Sequence, residues 1–228
     1  MPRIHFFDGD KGGVGKSFCC RTLIQYFLDR NLPFVPVEAD RYNPDVLNRY
    51  LTLGFQYAIF SDDEKQTSAD ELIEYAQEKP VIISLPSQVG KLLNLWLEDA
   101  LEAAASHNIE FVRWFVTSGS YESVALFNES LKELGGSVNY VLVKNNGVGE
   151  DWSELEEFKG LKTLMVKHKV KTIEFPKLPF KERNLLDKNN LTFGESRNSA
   201  LIKTVSRTRV EKFLAEAYSA FESTGLLP

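Results

Sequence analysis

The chain has 228 residues, of which 43% are hydrophobic and 26% are charged, as is typical of a globular protein with a sizeable core. Its formal net charge of −5 excludes a protein whose whole surface is basic, although a local basic patch is compatible with that value. The sequence has no run of about 20 apolar residues, no signal-peptide pattern and only one pair of adjacent cysteines. We therefore expect a cytoplasmic protein that does not bind or span a membrane.

Short apolar runs alternate with helical patterns along most of the chain, which predicts βαβ units. The predicted strands are 3–8, 34–40, 81–85, 111–117 and 138–144. The predicted helices are 17–30, 44–51, 68–77, 90–106, 121–134 and 196–222, and Ser68 and Glu71 form a capping box in the third. Residues 163–175 alternate in polarity before Pro176 and Pro179, which predicts an edge strand and a loop. The pattern predicts one α/β domain over residues 1–228, with a mostly parallel twisted sheet flanked by helices.

A glycine-rich segment follows the first predicted strand and opens the first predicted helix. It consists of Lys11, Gly12, Gly13, Val14, Gly15, Lys16 and Ser17. Glycines let successive backbone N–H groups surround a phosphate, and the N-terminus of the helix, including Phe18, adds its positive end. We therefore predict that these residues bind ATP, that Lys16 contacts its β- and γ-phosphates, and that the hydroxyl of Ser17 binds Mg²⁺.

The segment departs from the general phosphate-loop pattern, because Asp10 occupies the position of the first glycine. It resembles instead the Lys-Gly-Gly-Val-Gly-Lys-[Ser/Thr] motif, a deviant Walker A motif, of the ParA/MinD/NifH superfamily of P-loop proteins. That resemblance implies that Lys11 reaches across a nucleotide-sandwich homodimer to the partner's ATP. A cation supplied in trans neutralises charge on the transferring phosphoryl group. The alternative for Lys11 is a solvated lysine beside a turn.

Other segments extend the resemblance to most of the chain. Asp40 matches the second aspartate of the family's Asp-x-Asp-Pro-Gln segment, which implies a catalytic role toward the attacking water and the water shell of the metal; the alternative is an N-cap for the next helix. Glu38 replaces the first aspartate. Ser84 stands where the family's Walker B strand carries an aspartate, which implies slow hydrolysis and weaker magnesium binding. Gln88 is either a sensor of the γ-phosphate or an exposed loop amide.

The resemblance also implies a site for the base. The family has an asparagine just after the strand predicted at 138–144, and an amide offers the adenine edge both a donor and an acceptor. Asn145 is the candidate and Asn146 the second choice, with a turn-forming Asn-Gly pair as the alternative for Asn146. The loop at 175–179 loosely resembles the family's proline-containing loop over the base.

Positive charge collects in two late stretches of the chain. The first comprises Lys167, His168, Lys169 and Lys171, and the second comprises Arg197, Lys203, Arg207, Arg209 and Lys212. ParA-like partition ATPases hold DNA non-specifically through late basic residues, so the resemblance implies salt-sensitive DNA binding. A solvated helix face explains the second stretch equally well.

The resemblance as a whole implies a weak ATPase that dimerises with ATP and recruits DNA or a ParB-like adaptor protein. Plasmid partition, cargo positioning and mobilisation are the three roles that it leaves open. Ser84 favours a different class, a nucleotide-binding pseudo-ATPase that acts as a protein-interaction module. A small-molecule ligase similar to dethiobiotin synthetase is a third class, and Lys11 argues against it.

Overall fold

The computed structural model describes residues 2–9, 11–61 and 69–228. Its strands are β1 Arg3–Asp8, β2 Val35–Glu38, β3 Gln56–Tyr57, β4 Val81–Ser84, β5 Glu110–Thr117, β6 Asn139–Asn145 and β7 Lys171–Phe175. They form one sheet in the order β3-β2-β4-β1-β5-β6-β7, and every neighbouring pair is parallel. The predicted α/β fold with a parallel sheet is confirmed.

Helices cover both faces of this sheet. They are α1 Lys16–Asp29, α2 Asp45–Arg49, α3 Glu71–Glu78, α4 Gly90–Ser106, α5 Tyr121–Leu134, α6 Ser153–Glu157, α7 Leu161–Lys167, α8 Phe180–Lys188, α9 Phe193–Ser196 and α10 Thr204–Glu222. Helices α3 to α7 bury apolar residues against one face, and the other helices do so against the opposite face. In the part of the chain that the structure describes, none of the helices has the length and apolar character needed to cross a bilayer.

Strand β1 lies in the middle of the sheet, because it pairs with β4 on one side and with β5 on the other. Its side chains alternate between the two apolar layers. Phe6 stacks with Phe111 in one layer and Phe7 stacks with Trp114 in the other, with ring centroids 5.7 and 5.8 Å apart. Because all strands run in the same direction, their carboxyl ends meet at one edge, which is where ligands bind in open α/β sheets.

Two sequence-based predictions of elements are wrong. The strand predicted at 163–175 is helix α7 followed by the shorter β7; Lys169 adopts a left-handed φ of 53° between them, so the helix ends without a glycine. The terminal helix predicted at 196–222 begins only at Thr204, as α10, and Ser196 is instead the last residue of the separate short helix α9. Thr192 and Glu195 form a capping box that starts α9 before the predicted position.

Three short or polar elements, β3, α6 and α8, were not predicted from the sequence. Helix α3 begins at Glu71, and Ser68, the predicted partner in its capping box, lies outside the described residues. The other predicted strands and helices are present, with ends that differ by a few residues at most.

Candidate functional site

The glycine-rich segment lies where β1 passes into α1, at the carboxyl edge of the sheet. Gly15 has a φ of 97°, and a Cβ at this position would lie 2.3 Å from Nδ2 of Asn145, so a side chain is excluded by conformation and by space. At Gly9 a Cβ would lie 2.5 Å from the carbonyl oxygen of Val116 in β5. The loop is therefore held close against β5 and the end of β6.

Lys16 is buried, and its ammonium group lies inside the loop. Its Nζ donates to the carbonyl oxygen of Lys11 at 3.0 Å and to Oγ of Ser87 at 3.2 Å. A phosphate in the loop would replace these neutral acceptors with a charged one, which forms a stronger hydrogen bond. In the loop that follows β4, the sequence analysis selected Gln88 as the candidate sensor of the γ-phosphate. The structure instead brings Ser87 of that loop to Lys16 and leaves Gln88 exposed with a φ of 64°.

A cavity of about 320 Å³ opens in front of the loop and is lined by Lys16, Ser17 and Asp40, among others. Three arginines and two aspartates from α1, α2 and α8 form its far wall. Nη2 of Arg49 lies 3.2 Å from Asp45 and 3.1 Å from Asp187, and Nη2 of Arg21 lies 3.3 Å from Asp187. Arg183 completes this wall. Sequence reasoning missed the ion pairs with Asp187, since this residue lies in α8, which was not predicted.

Asp40 faces the cavity from a tight turn that follows β2. Its Oδ1 accepts hydrogen bonds from the amides of Tyr42 at 3.2 Å and Asn43 at 2.9 Å. None of the described residues donates a hydrogen bond to its Oδ2. Helix α2 has Pro44 at its N-cap position, so Asp40 caps a turn and does not cap that helix. One oxygen of Asp40 is thus committed to the turn and the other remains for the cavity.

Glu38 lies at the end of β2, directly across the parallel register from Ser84. Its two carboxylate oxygens accept the amides of Asp40 at 3.1 Å and Leu47 at 3.2 Å, so this side chain fixes the segment that carries Asp40. Ser84 is buried beside Glu38. An acidic group is therefore present on β2 at the level of Ser84, the position where the family resemblance leads us to expect an aspartate.

Burial raises the pKa of Glu38 from 4.5 to about 7, although hydrogen bonds from the amides of Asp40 and Leu47 oppose this shift. The folded chain thus binds this proton more tightly than the unfolded chain. The resulting stability is complete below a pH of about 4.5 and is lost as the pH rises through about 7. We expect this group to lower the free energy of unfolding by on the order of 3 kcal/mol across that interval.

Urea unfolding of wild type and Glu38→Gln at a series of pH values measures this effect. The difference in unfolding free energy between the two proteins should shift against the wild type as the pH rises. A difference that stays constant from pH 4.5 to pH 7 would contradict the raised pKa of Glu38.

The oxygen groups of the cavity fit a hard divalent cation. Mg²⁺ prefers oxygen ligands, keeps several waters and needs only one or two carboxylates beside nucleotide phosphates. The cavity offers the hydroxyl of Ser17 and a carboxylate oxygen of Asp40, and Glu38 lies behind them with both oxygens already bonded. Ser17 would hold the ion directly and Asp40 would act through its water shell.

Asn145 lies at the end of β6 against the phosphate loop. Its Nδ2 donates to the carbonyl oxygen of Val14 at 2.8 Å, and its Oδ1 accepts the amide of Gly147 at 3.0 Å. The amide group therefore braces the loop, and its contact with adenine stays a prediction. Phe18 packs its ring in the core against Phe175, which leaves its backbone as the part that a phosphate could reach.

Lys11 and Lys16 lie on different sides of the loop. The ammonium group of Lys11 forms an ion pair with Oε2 of Glu122, in the first turn of α5. Both side chains are accessible to solvent, with exposed fractions of 36% and 66%, so the pair contributes little to stability. Lys11 does not belong to the described residues that line the cavity.

The arginines of the second basic stretch are engaged within the protein. Arg197 forms two hydrogen bonds with the carboxylate of Asp29, at 2.7 and 2.6 Å, and Nη1 of Arg209 lies 2.9 Å from the buried Glu182. These contacts support a structural role for the arginines. Within the described ranges, the members of this stretch that form no ion pair and no side-chain hydrogen bond are Lys203 and Lys212.

A buried ion pair lies behind the phosphate loop. Arg113, in the middle of β5, donates from Nε to Oδ2 of Asp8 at 2.8 Å and from Nη2 to the same oxygen. Its Nη1 lies 3.0 Å from Oδ1 of Asn94 and 3.4 Å from the hydroxyl of Tyr140. Burial alone would lower the pKa of Arg113, but the Asp8 carboxylate raises it above the usual value. Asp8 is the last residue of β1, so this pair anchors the start of the loop.

Comparisons with known proteins show a likeness in sequence to one curated protein and a likeness in fold to solved structures. No protein-family model matches the chain. MobD of Acidithiobacillus ferrooxidans is 25% identical over 178 residues, which are 76% of this chain and 77% of MobD. A plasmid partition protein of Borrelia burgdorferi, solved with bound AMPPNP, is 16% identical with a TM-score of 0.55 over 98% of this chain and 100% of its own. MinD of Aquifex aeolicus is 13% identical with a TM-score of 0.48 over 100% and 99% of the two chains.

The likeness to the partition protein covers both chains nearly end to end, so it extends beyond the glycine-rich loop. Because the sequence identity is only 16%, this likeness shows a shared fold. In this chain the same fold carries a glycine-rich turn between a central parallel strand and α1, with a buried lysine inside the turn. The chain therefore has the fold of this plasmid partition protein, with a glycine-rich turn of the phosphate-loop kind after β1.

Proposed function

We propose that this chain is a ParA-like switch that binds ATP and Mg²⁺, dimerises in the ATP state and hydrolyses ATP slowly. The observation that carries the proposal is the position of the two loop lysines. Lys16 lies inside the loop beside the cavity, while Lys11 lies outside it on a weak, solvent-accessible ion pair. One lysine is thus positioned to bind the phosphates of its own nucleotide, and the other is free to reach a second chain.

The similar proteins support the same reading. The Borrelia burgdorferi plasmid partition protein has this fold and was solved with an ATP analogue. By analogy, we propose that this chain binds ATP and serves plasmid partition, with cargo positioning and mobilisation as related uses. A ParB-like adaptor protein would be the partner of the ATP-bound dimer. Non-specific DNA would contact Lys203 and Lys212, the cations of α10 and its N-cap that form neither an ion pair nor a side-chain hydrogen bond among the described residues.

The described residues divide the chemistry among them. Lys16 and the backbone of the loop bind the phosphates, and Ser17 holds Mg²⁺, which when bound neutralises phosphate charge. Asp40 orients the attacking water through its free oxygen, while Glu38 and the turn amides keep Asp40 in position. Lys11 of one chain neutralises the phosphoryl group bound to the other chain. Ser84 adds no charge to this set, which is consistent with slow turnover.

AMPPNP with Mg²⁺ should convert the chain from monomer to dimer, whereas ADP should not, because Lys11 needs a γ-phosphate opposite it. Lys11→Ala should weaken this dimer by about tenfold or more, since a charge-assisted contact is lost. Glu122→Gln should strengthen the dimer about two- to fivefold, because Lys11 no longer has to leave an exposed ion pair. Light scattering over a range of protein concentrations measures all three.

Lys144→Gln is the matched control for Glu122→Gln, because it also removes one charge from an ion pair outside the cavity, the pair with Glu174. It should leave the dimer unchanged. A mass that stays monomeric with AMPPNP at tens of micromolar, roughly above a micromolar dissociation constant, would contradict the sandwich dimer.

Asp40→Asn should lower phosphate release by about a hundredfold or to the background without protein, while ATP stays bound. Asparagine keeps an oxygen for the amides of Tyr42 and Asn43, so the turn survives and only the charge is removed. A malachite green assay on wild type, Asp40→Asn and Asp40→Ala measures this. Equal release by wild type and Asp40→Asn, above background, would assign Asp40 to the turn alone.

The second candidate function is a pseudo-ATPase that binds ATP and dimerises without turnover. Ser84 favours it, because the carboxylate beside Ser84 belongs to Glu38 and is buried with both oxygens bonded. Phosphate release by the wild type at the level of the background, with the dimer intact, would select this candidate over the ATPase.

A further inference from the structure

A groove at the opposite end of the strands from the phosphate loop is not used by the proposed function. We call it the α7–β7 groove, and it is lined by Lys162, Met165, Val166, Lys169, Val170 and Lys171. Its volume is about 520 Å³. All strands are parallel and β7 begins at Lys171, so the groove lies near the amino end of the sheet, whereas the loop lies at the carboxyl end.

The floor of the groove is apolar. Met165 and Val170 are partly buried and pack on the core layer beneath α7. Val166 is 80% exposed, although the other apolar residues of α7 turn toward the core. Large exposed apolar side chains that border a groove are typical of protein interaction sites, because covering them removes apolar surface from water.

The rim of the groove is basic. Lys162 pairs with Glu156 across 3.3 Å, and both of these side chains are well exposed, so that pair is weak. Lys169 and Lys171 form no ion pair with any described residue, and Lys167 is a further cation at the end of α7. This local charge is opposite to the net charge of −5 of the whole chain. The positive charge of the rim would therefore favour an acidic ligand.

Strand β7, which borders the groove, is the last strand of the described sheet. Ile173 and Phe175 are buried against α10 and its neighbours, while Thr172 and Glu174 are exposed on the opposite face. The carbonyl oxygen of Phe175 faces β6, where it accepts the amide of Asn146, so the backbone groups of Thr172 and Glu174 point outward. An extended segment can pair with such an edge while its side chains enter the adjacent groove.

We propose that the α7–β7 groove binds an acidic segment of a partner protein that carries apolar side chains between its carboxylates. The apolar floor favours a peptide over a nucleic acid, because a phosphate backbone gains from cations and hydrogen-bond donors and leaves apolar side chains uncovered. The lysines at the rim would pair with the carboxylates, and Val166 would pack on an apolar side chain of the segment. This is a second docking surface, independent of the proposed nucleotide switch.

Fluorescence anisotropy with two labelled peptides of equal length tests the proposal. One peptide alternates glutamate and leucine, and the other contains glutamate only. Wild type should bind the first about fivefold more tightly than the second, since a leucine side chain that enters the groove removes apolar surface from water. Binding should weaken as salt is added, and it should be equal with and without ATP because the groove is remote from the loop.

Two variants address the two parts of the surface. Lys169→Glu combined with Lys171→Glu should weaken binding of both peptides by about tenfold, because attraction becomes repulsion. Val166→Ser should weaken only the leucine-containing peptide, by about threefold. The matched controls are Lys79→Glu, at an exposed lysine that follows α3, and Val205→Ser on α10, since Val205 is also an exposed helical valine, 63% exposed. Both controls should bind like the wild type, and all variants should unfold at the temperature of the wild type.

Several outcomes would overturn the proposal. The first is no binding of the leucine-containing peptide by wild type at low salt, and the second is equal binding of both peptides. The third concerns labelled duplex DNA. If the wild type binds this DNA, if the Lys169→Glu and Lys171→Glu variant does not, and if the peptide does not displace the DNA, the lysines bind nucleic acid and not a peptide. None of these outcomes bears on the nucleotide switch, because ATP binding and dimerisation are measured separately.

Discussion

Replacing Lys16 with alanine is expected to lower the affinity for ATP by well over about tenfold. The ammonium group of Lys16 lies inside the phosphate loop, with hydrogen bonds at 3.0 and 3.2 Å to acceptors that the phosphates would replace. Its removal takes a charge-assisted contact from a desolvated anion, and no other lysine belongs to the described lining of the cavity. Isothermal titration calorimetry with ATP and Mg²⁺ measures the change.

Lys11→Ala is the matched control for this experiment, because it removes a lysine from the same loop but from its outer side. At protein concentrations below those that form the dimer, Lys11→Ala should bind ATP like the wild type. Equal affinities of wild type and Lys16→Ala would overturn the phosphate-loop assignment. Equal losses in both variants would mean that the two lysines do not have separate roles.

Replacing Arg113 with methionine is expected to lower the free energy of unfolding by about 3–5 kcal/mol. Arg113 is 2% exposed, and its guanidinium group binds the carboxylate of Asp8, which is fully buried. Methionine has a similar volume but no charge, so the Asp8 carboxylate would be left in a low-dielectric interior without its cation. Urea unfolding followed by circular dichroism measures the loss.

The same two strands supply the control. Arg3 at the start of β1 pairs with Glu110 at the start of β5 at 2.8 Å, but this pair is partly exposed. Arg3→Met should therefore cost about 1 kcal/mol or less. Adding Asp8→Asn to Arg113→Met should restore part of the lost stability, because it removes the unpaired charge. Similar losses for Arg3→Met and Arg113→Met would show that burial does not determine the strength of these pairs.

The parallel sheet was predictable because its central strands are buried on both faces, and such strands appear in the sequence as continuous apolar runs. The residues of β4, Val81 to Ser84, illustrate this pattern. The order of the strands does not follow from such runs. It depends on contacts between distant residues, such as Ile4 with Phe111, that no local pattern specifies.

The failed predictions have local causes. Helix α8 was missed because only Glu182 and Leu186 are buried in it, too few for an apolar period to emerge. Helix α7 was read as a strand because it is short and because Lys169 ends it where glycine is usual. The break between α9 and α10 contains neither glycine nor proline, so the helical pattern continued across it.

Within the site, the phosphate loop could be predicted from local sequence, but the residues that contact and position the loop could not. Lys16 and Ser17 follow from spacing alone, and Asp40 follows from the resemblance. Ser87 and the bond from Asn145 to the loop depend on how β4 and β6 lie beside β1. The pair of Arg113 and Asp8 had one available signal, an arginine within an otherwise apolar strand, which indicates a buried partner.

The central position of β1 has a consequence for synthesis on the ribosome. Ile4 is made before both of its register partners in the sheet, Val81 and Phe111. The nascent strand, with Phe6 and Phe7, therefore stays unpaired and apolar until β4 and β5 have emerged, and pairing of such distant segments is slow. Nucleotide binding cannot stabilise the nascent chain before β5 has emerged, because the phosphate loop packs against β5. We expect nascent chains that end before β5 to bind holdase chaperones and to lose them once β5 is exposed.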